Sequence, residues 1–446
     1  MTSEQEVEVA PETASTQRRD SLMRNRDFLK LWSGETVSLI GTQITQFTLP
    51  LVAILTLGAT VFEVGVLNAT RYAPVVILSL LAGVWLDTRR RRPILIACSL
   101  GCAFLIALVP ASYAAGLLSM TLLYVVSALV GSLTVVFDVG VLSYVPGLVE
   151  PRHLADSNGK IQSSTALAGI AGPGIAGLLV GILTAPVALA VDAVSYLCSA
   201  LGLATIRKTE PAPEVPEQRP TIRSSIAEGL RAVYGSSILR SLLTQSGTFN
   251  FFQNAMITVF VVYAVRELGL TPAQLGIVIG AISVGGLTGA LLANRIRSRF
   301  GFGRTMVTTT VAAAVFPLLL LVPQDATAWS MALLIGAELL CGFSVLVFNV
   351  NTVTLRQTIT PNRLLGRMNA SYRLVLFGTG PIGAVLGGLL GASLGLRPAM
   401  VITVILLTTP ALWAFFSPVF RLKEMPSGPP EDTDTDQVLP RNGHKS

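Results

Sequence analysis

Long uncharged apolar stretches recur along this sequence, separated by short clusters of charge, and that alternation constrains the fold more than any other feature. Residues 93 to 118 carry no charged side chain, whereas Arg89 to Arg92 are consecutive arginines. A helix needs roughly 20 mainly apolar residues to cross about 30 Å of hydrocarbon, with every backbone polar group bonded inside the segment. Twelve segments qualify, near 30–57, 62–86, 93–113, 117–142, 159–182, 186–206, 240–265, 272–294, 304–322, 328–355, 364–393 and 398–420. Only 13% of the residues are charged, about half the roughly 25% typical of soluble domains, so the chain cannot clothe a water-soluble globule. The expected fold class is an all-α integral membrane protein with twelve transmembrane helices.

The charges also set an orientation. Of the 32 Lys and Arg residues, Arg266 and Arg397 fall in odd-numbered loops, and Arg71 and Arg373 lie within spans. The rest belong to the tails and even-numbered loops, which the positive-inside rule makes cytoplasmic, along with both termini. The formal charge of +7 thus reports topology rather than nucleic-acid binding, since no basic face with interleaved aromatics is present. The first 24 residues are polar and lack an apolar core, so no cleavable signal is expected.

The longest internal polar segment, 207–239, holds Pro211, Pro213, Pro216 and Pro220, then an amphipathic stretch with Ile222, Ile226, Leu230 and Val233 at helical spacing. It divides six spans from six. The expected organisation is a cytoplasmic tail (1–27), a six-helix bundle (28–206), a cytoplasmic linker (207–239), a second six-helix bundle (240–420) and a cytoplasmic tail (421–446). A weak repeat relates the halves: Pro151 to Asn158 followed by Gly172-Pro173, and Pro361 to Asn369 followed by Gly380-Pro381. Repeats of this kind put a substrate site at their interface near the bilayer midplane.

Chemistry of other kinds has little to work with. The four cysteines form no CxxC, and Cys98 and Cys102 merely share a helix face. His153 sits in a loop and His444 in a tail, so neither a metal site nor a hydrolytic triad is expected. There is no GxxxxGK[ST] loop, so no cofactor and no built-in ATPase is expected. The chain is not expected to be an enzyme.

Between spans two and three stands Gly83-Val-Trp-Leu-Asp87-Thr-Arg-Arg-Arg91-Arg92. It resembles the signature of the major facilitator superfamily, a Gly, three residues, an Asp and a basic cluster, with Thr88 and Arg90 departing from the pattern. In this reading Gly83 permits close helix approach, Asp87 fixes a charge at the membrane surface, and Arg91 completes a salt-bridge network. A degenerate copy, Gly289 to Arg299, has Asn294 in the place of the acid. Span five reads Gly169-Ile-Ala-Gly172-Pro173-Gly174-Ile-Ala-Gly177, similar to the glycine-proline motif that superfamily exporters carry and that is associated with antiport. Resemblance extends along most of the chain to the branch of the enterobactin exporter, macrolide efflux proteins and transmembrane secretion effectors. It is carried by Phe137-Asp138 to Pro146, Val191-Asp192 to Tyr196, and Asn349 to Pro361, continuing to Gly366-Arg367. The resemblance implies two pseudo-symmetric six-helix bundles, the major facilitator fold.

An ionisable residue at the centre of a span costs about 2.5–3.5 kcal/mol on insertion scales, so each invites a partner and a purpose. Glu35 lies early in span one, Asp138 near the cytoplasmic end of span four and Asp192 near the outer end of span six. Arg71, Glu338 and Arg373 fall near midplane. The family analogy makes Asp138 the partner of Arg91 in a cytoplasmic latch, with Asp87 facing the start of span eleven near Gly366 and Arg367. A static helix clamp and proton carriage are the other readings of Asp138. Glu338 is the first candidate for a proton-binding carboxylate and Glu35 the second, against a structural pairing of Glu338 with Arg71 or Arg373. Asn250, Gln253 and Asn254 in span seven either line the substrate cavity or bond a neighbouring helix.

The expected function is a monomeric secondary transporter in the plasma membrane. It exports small amphipathic molecules, drug-like or siderophore-like, by alternating access with protons as the coupling ion. A proton-coupled nutrient importer on the same fold is the alternative, and a membrane-embedded sensor a more distant one.

Overall fold

A computed structural model describes residues 22–86, 88–208, 210 and 222–421. Asp87 lies outside the described residues, so the contacts expected of it belong to the sequence reading alone. Among the described residues there are helices and no strands, so each span closes its backbone hydrogen bonds within itself, one of the ways a chain can cross hydrocarbon.

The first bundle comprises α1 (Arg26–Leu51), α2 (Val61–Leu86), α3 (Arg91–Ala114), α4 (Met120–Leu148), α5 (Leu154–Ile182) and α6 (Ala185–Ala204). The short helix α7 (Ile222–Gly235) follows. The second bundle comprises α8 (Ser237–Arg266), α9 (Pro272–Phe300), α10 (Phe302–Val315), α11 (Ala328–Ile359), α12 (Asn362–Leu394), α13 (Leu396–Leu406) and α14 (Thr409–Phe416). Among the described residues eleven helical segments are long and apolar enough to cross a membrane, and α2 occupies the remaining predicted segment.

Two predicted spans are less regular than the sequence suggested, and proline is the cause in both. After α10 the chain tightens into a 3-10 turn over Phe316–Leu321, with Pro317 at its start. The last span breaks after α13 and resumes as α14 with Pro410 in its first turn. Proline has no N–H to donate and its ring crowds the preceding turn, so the regular α ladder ends there. The amphipathic stretch at 222–235 is a helix, and its fully buried Val233 packs with Leu239, Leu243, Met368 and Tyr372.

Helix ends are capped where they leave the apolar layer. Asn25 accepts from the Asp27 and Phe28 N–H groups at 3.1 Å each. Thr271 and Gln274 form a reciprocal capping box at α9, and Thr327 caps α11. The turns α1–α2, α3–α4, α8–α9 and α12–α13 each place a glycine at positive φ (Gly58, Gly116, Gly269, Gly395). These tight hairpins lie at the end away from Arg89–Arg92, hereafter the opposite end.

Within the first bundle α1 packs on α5 and α6, and α4 on α2 and α3. In the second, α12 packs on α8 and α11 on α9 and α10. The bundles meet mainly through two pairs, α2 with α12 and α5 with α9, and more lightly through α2 with α8.

Candidate transport site

The α5–α9 seam is built from glycine. A Cβ on Gly177 would collide with the Pro272 carbonyl, and one on Gly276 with the Pro173 carbonyl. The glycine-proline motif of span five therefore lies directly against the second bundle. Its members do different things. Gly177 touches α9, Gly169 faces Ser283 of α9, and Gly172 admits the Gln43 side chain of α1. The α2–α12 seam is built the same way: Gly65 lies against the Ala384 carbonyl, and Gly388 and Gly391 against Val61 and Phe62. At the opposite end Arg266 donates across the seam to the Ala59 carbonyl at 2.7 Å, and deeper in Asn68 Nδ2 donates to Thr258 Oγ1 at 3.3 Å.

Behind these contacts lies a cavity of about 170 Å³ lined from both bundles, by Gln43, Gln46, Arg71 and Tyr72 on one side and Asn254 and Ile257 on the other. A second cavity of about 160 Å³ continues from it into the first bundle, where Arg71 and Tyr72 again form the wall together with Thr45, Asp138 and Tyr196. Arg71 thus joins the two spaces.

Asp192 is fully buried beside them. Its carboxylate accepts from Thr45 Oγ1 of α1 and from Ser195 Oγ at 2.8 Å, and it lies in the field of Arg71. Gly41 makes this possible, because a Cβ there would overlap both Asp192 and Ser195. The sequence reading noted Asp192 as an intramembrane charge but assigned it no role. Neither Gly41 nor Tyr72 carried a signal that could have singled it out.

Asp138 stands in the field of Arg373, a residue of α12 in the other bundle. Glu35, 8% exposed with Oε2 lacking a partner, lies in turn in the field of Asp138. The ionisable residues marked in the sequence thus fall into two electrostatic groups, Arg71 with Asp192, and Glu35 with Asp138 and Arg373. Glu338 is not brought to them. It is 4% exposed on α11 near Cys341 and lines neither of these two cavities.

At the basic end, the ion pair formed by Arg91 is with Glu210, Nη1 to Oε1 at 3.6 Å. Glu210 also accepts from the Arg91 N–H at 2.8 Å and the Arg92 N–H at 3.2 Å, closing the N-terminus of α3. Arg92 donates to the Leu203 and Ala204 carbonyls at the end of α6. Glu210 could not be picked from sequence, because the pairing needs the linker to fold back under α3. Among the described residues no atom approaches a Cβ at Gly83 or Gly366 within 4 Å, so the close approach expected at Gly83 is not made in this conformation. Arg367 pairs with Glu228 of α7, and a Cβ on Gly229 would strike the Arg367 carbonyl and Ser371.

The span-seven amides divide. Asn254 donates to the Asn250 carbonyl at 2.8 Å, a bond within α8 rather than to a neighbour, and it lines the inter-bundle cavity. Asn250 and Gln253 line a separate cavity inside the second bundle. Among the described residues no cluster of His, Cys, Asp and Glu could hold a metal ion.

Similarity to known proteins accords with this architecture. The multidrug efflux pump Tap of Mycolicibacterium fortuitum is 25% identical over 376 residues, 80% of this chain and 87% of that protein. A bacterial homologue of the iron transporter ferroportin, in its inward-facing state, superposes with a TM-score of 0.66 at 17% identity, covering 88% of this chain and 99% of its own. The outward-facing form gives 0.57 at 17% identity, over 89% and 98%. The sequence matches the transmembrane secretion effector family over residues 21–440. The chain is a member of that family, a multi-pass membrane transporter of the major facilitator superfamily.

Proposed function

We propose that this protein is a plasma-membrane exporter of small amphipathic molecules that works by alternating access and exchanges its cargo for protons. The basic end faces the cytoplasm with both termini, and each chain acts as a monomer. The observation that carries the reading is a linked set of two pairs, Arg71 with Asp192 and Asp138 with Arg373 of the other bundle, with Arg71 and Asp138 lining the first-bundle cavity that adjoins the inter-bundle space. An intramembrane carboxylate is stabilised as an anion only while a cation or donors face it. Rocking of the bundles moves Arg373 relative to Asp138, so the preferred protonation state of Asp138 changes with conformation. That is the linkage antiport requires.

The glycine-lined seams close the outer end, and Arg266 bolts it to Ala59. Such close backbone contacts are broken or made as whole seams, which suits a two-position switch. In the outward-open position Arg91 leaves Glu210 for Asp138, forming the latch expected from the family analogy, with Asp87 completing it. The name of the Tap relative, a multidrug efflux pump, supports export and a broad cargo class. Glu338, remote from the linked set, becomes a secondary candidate for proton binding, and Glu35 joins the Asp138 group.

The test is transport by purified protein in liposomes carrying ethidium and an imposed pH gradient. Ethidium is expected to move up its own gradient as protons move down theirs, and to stop moving when a protonophore is added. Movement that ignores both the gradient and the protonophore contradicts proton exchange.

A further inference from the structure

A cavity of about 310 Å³ lies wholly within the second bundle, every lining residue coming from α8 to α14. It is distinct from the inter-bundle space that holds Arg71, and no Asp, Glu, Lys, Arg or His lines it. Phe249, Phe348, Ile282 and Val345 give it apolar and aromatic walls, and its volume falls at the lower end of the range for small-molecule pockets, about 300–1,000 Å³.

Its polar groups are only partly satisfied. Gln245 of α8 is 3% exposed; its Nε2 donates to Thr310 Oγ1 of α10 at 2.7 Å, while its Oε1 is buried without a partner. Turned over, the amide would still have one end on Thr310 and the other free. Gln253 Oε1, two turns further along α8, is also buried and unpartnered. Tyr372, by contrast, is fully engaged. Its hydroxyl bonds Ser246 at 2.7 Å and the Leu242 carbonyl at 3.2 Å, and the Arg356 guanidinium lies 3.8 Å from its ring centre. Tyr372 therefore forms a fixed wall, and Gln245 is a rigidly held acceptor waiting for a donor.

We propose that this cavity is a ligand subsite for the uncharged end of an amphipathic molecule, a flat ring or short aliphatic body bearing an N–H or O–H, with Gln245 reading that donor. An ionic group would find no counterion among the residues lining this cavity and stays by Arg71, which borders both the inter-bundle space and the first-bundle cavity lined by Asp138. The assignment rests on the transporter reading for its physiological ligand, but binding can be measured without transport.

Purified protein is titrated, by fluorescence anisotropy, with 7-amino-4-methylcoumarin and 7-dimethylamino-4-methylcoumarin, uncharged dyes on one ring system that differ in having the N–H donor. Wild type is expected to hold the amino dye about three- to tenfold more tightly, the worth of one net hydrogen bond. Gln245→Leu brings the amino dye to the level of the dimethylamino dye and leaves the latter unchanged. Ala313→Phe, which fills the cavity from α10, weakens both. Equal affinity of the two dyes for wild type, binding of neither, or equal loss of both in Gln245→Leu overturns the proposal; a cavity that holds water alone gives the second result. If Gln245→Leu fails to fold by size-exclusion, the wild-type preference and its loss in Thr310→Val decide the matter. Intact dye preference with failed pH-driven transport removes the transport reading and leaves the subsite standing.

Discussion

Asp192 and Asp138 differ in how they are held, and that difference assigns them different tests. Asp192 is fixed within the first bundle by Thr45 and Ser195, so its surroundings travel with it as the bundles rock. Asp138 faces a cation on the other bundle. Asp138→Asn is therefore expected to abolish pH-driven uphill movement, at least tenfold, while leaving energy-independent exchange of labelled for unlabelled cargo; loss of both would make Asp138 structural. Asp192→Asn, which keeps one accepted hydroxyl bond, reverses the other so that the amide donates, and removes the charge in the field of Arg71, is expected to lower exchange and uphill movement together. At the basic end, Arg91→Glu is expected to cripple transport and Arg91→Glu with Asp138→Arg partly to restore it, read as energy-independent exchange in liposomes; absence of any rescue counts against their pairing. The residues of this network were mostly visible in the sequence, since charges stand out against hydrocarbon. Their partners were not. Arg91 sits with Glu210 here because partner choice depends on where the linker folds and which end is closed.

At the scale of elements, the seams decide what can move. Backbones at Gly177 and Gly276 touch the facing helix directly, so a side chain there must part α5 from α9. Gly276→Leu is expected to open the outer end and slow transport more than tenfold, with the folded protein still monodisperse by size-exclusion. A thiol placed on Leu275 should then react faster with a membrane-impermeant maleimide added outside. Unchanged labelling would show that the seam tolerates the bulk. The helix α7 offers a second element-scale test. Its pair Glu228–Arg367 is partly exposed, which limits it to about 0–1 kcal/mol, whereas Gly229 and the fully buried Val233 fix it by packing. Gly229→Leu should thus impair transport far more than Glu228→Gln, and the reverse order would make the ion pair the stronger clamp. The glycine-proline motif was legible as a packing signal. Which helix it packs against was not, because small residues mark an interface without naming its other side.

Over the whole molecule, the twelve-span pattern and the helical class followed from hydrocarbon acting as solvent, and only the proline breaks at Pro317 and Pro410 blurred the count of continuous helices. Less legible was the separation of the polar surface into an ionic space between the bundles and a neutral cavity inside the second one. Asn250 and Gln253 line the neutral cavity and Asn254 the ionic one, although Asn250 and Asn254 lie one turn apart on one face of α8 and are bonded side chain to side chain at 3.2 Å, so this turn marks the border of the two spaces. In the export proposed above, one amphipathic cargo molecule would use both spaces, with its ionic part by Arg71.

Alternating access requires α5 and α9 to part at one end as they close at the other. With Cys198 replaced by Ser, spin labels at Ile182 and Thr271 report the outer end of this helix pair, and labels at Arg152 and Ser298 report the basic end. Double electron–electron resonance on protein in lipid nanodiscs, with the pH stepped between about 5 and 8 across the usual range of perturbed membrane carboxylates, should show the outer distance lengthening as the basic-end distance shortens. Two distances that stay fixed, or that change in the same direction, contradict the account.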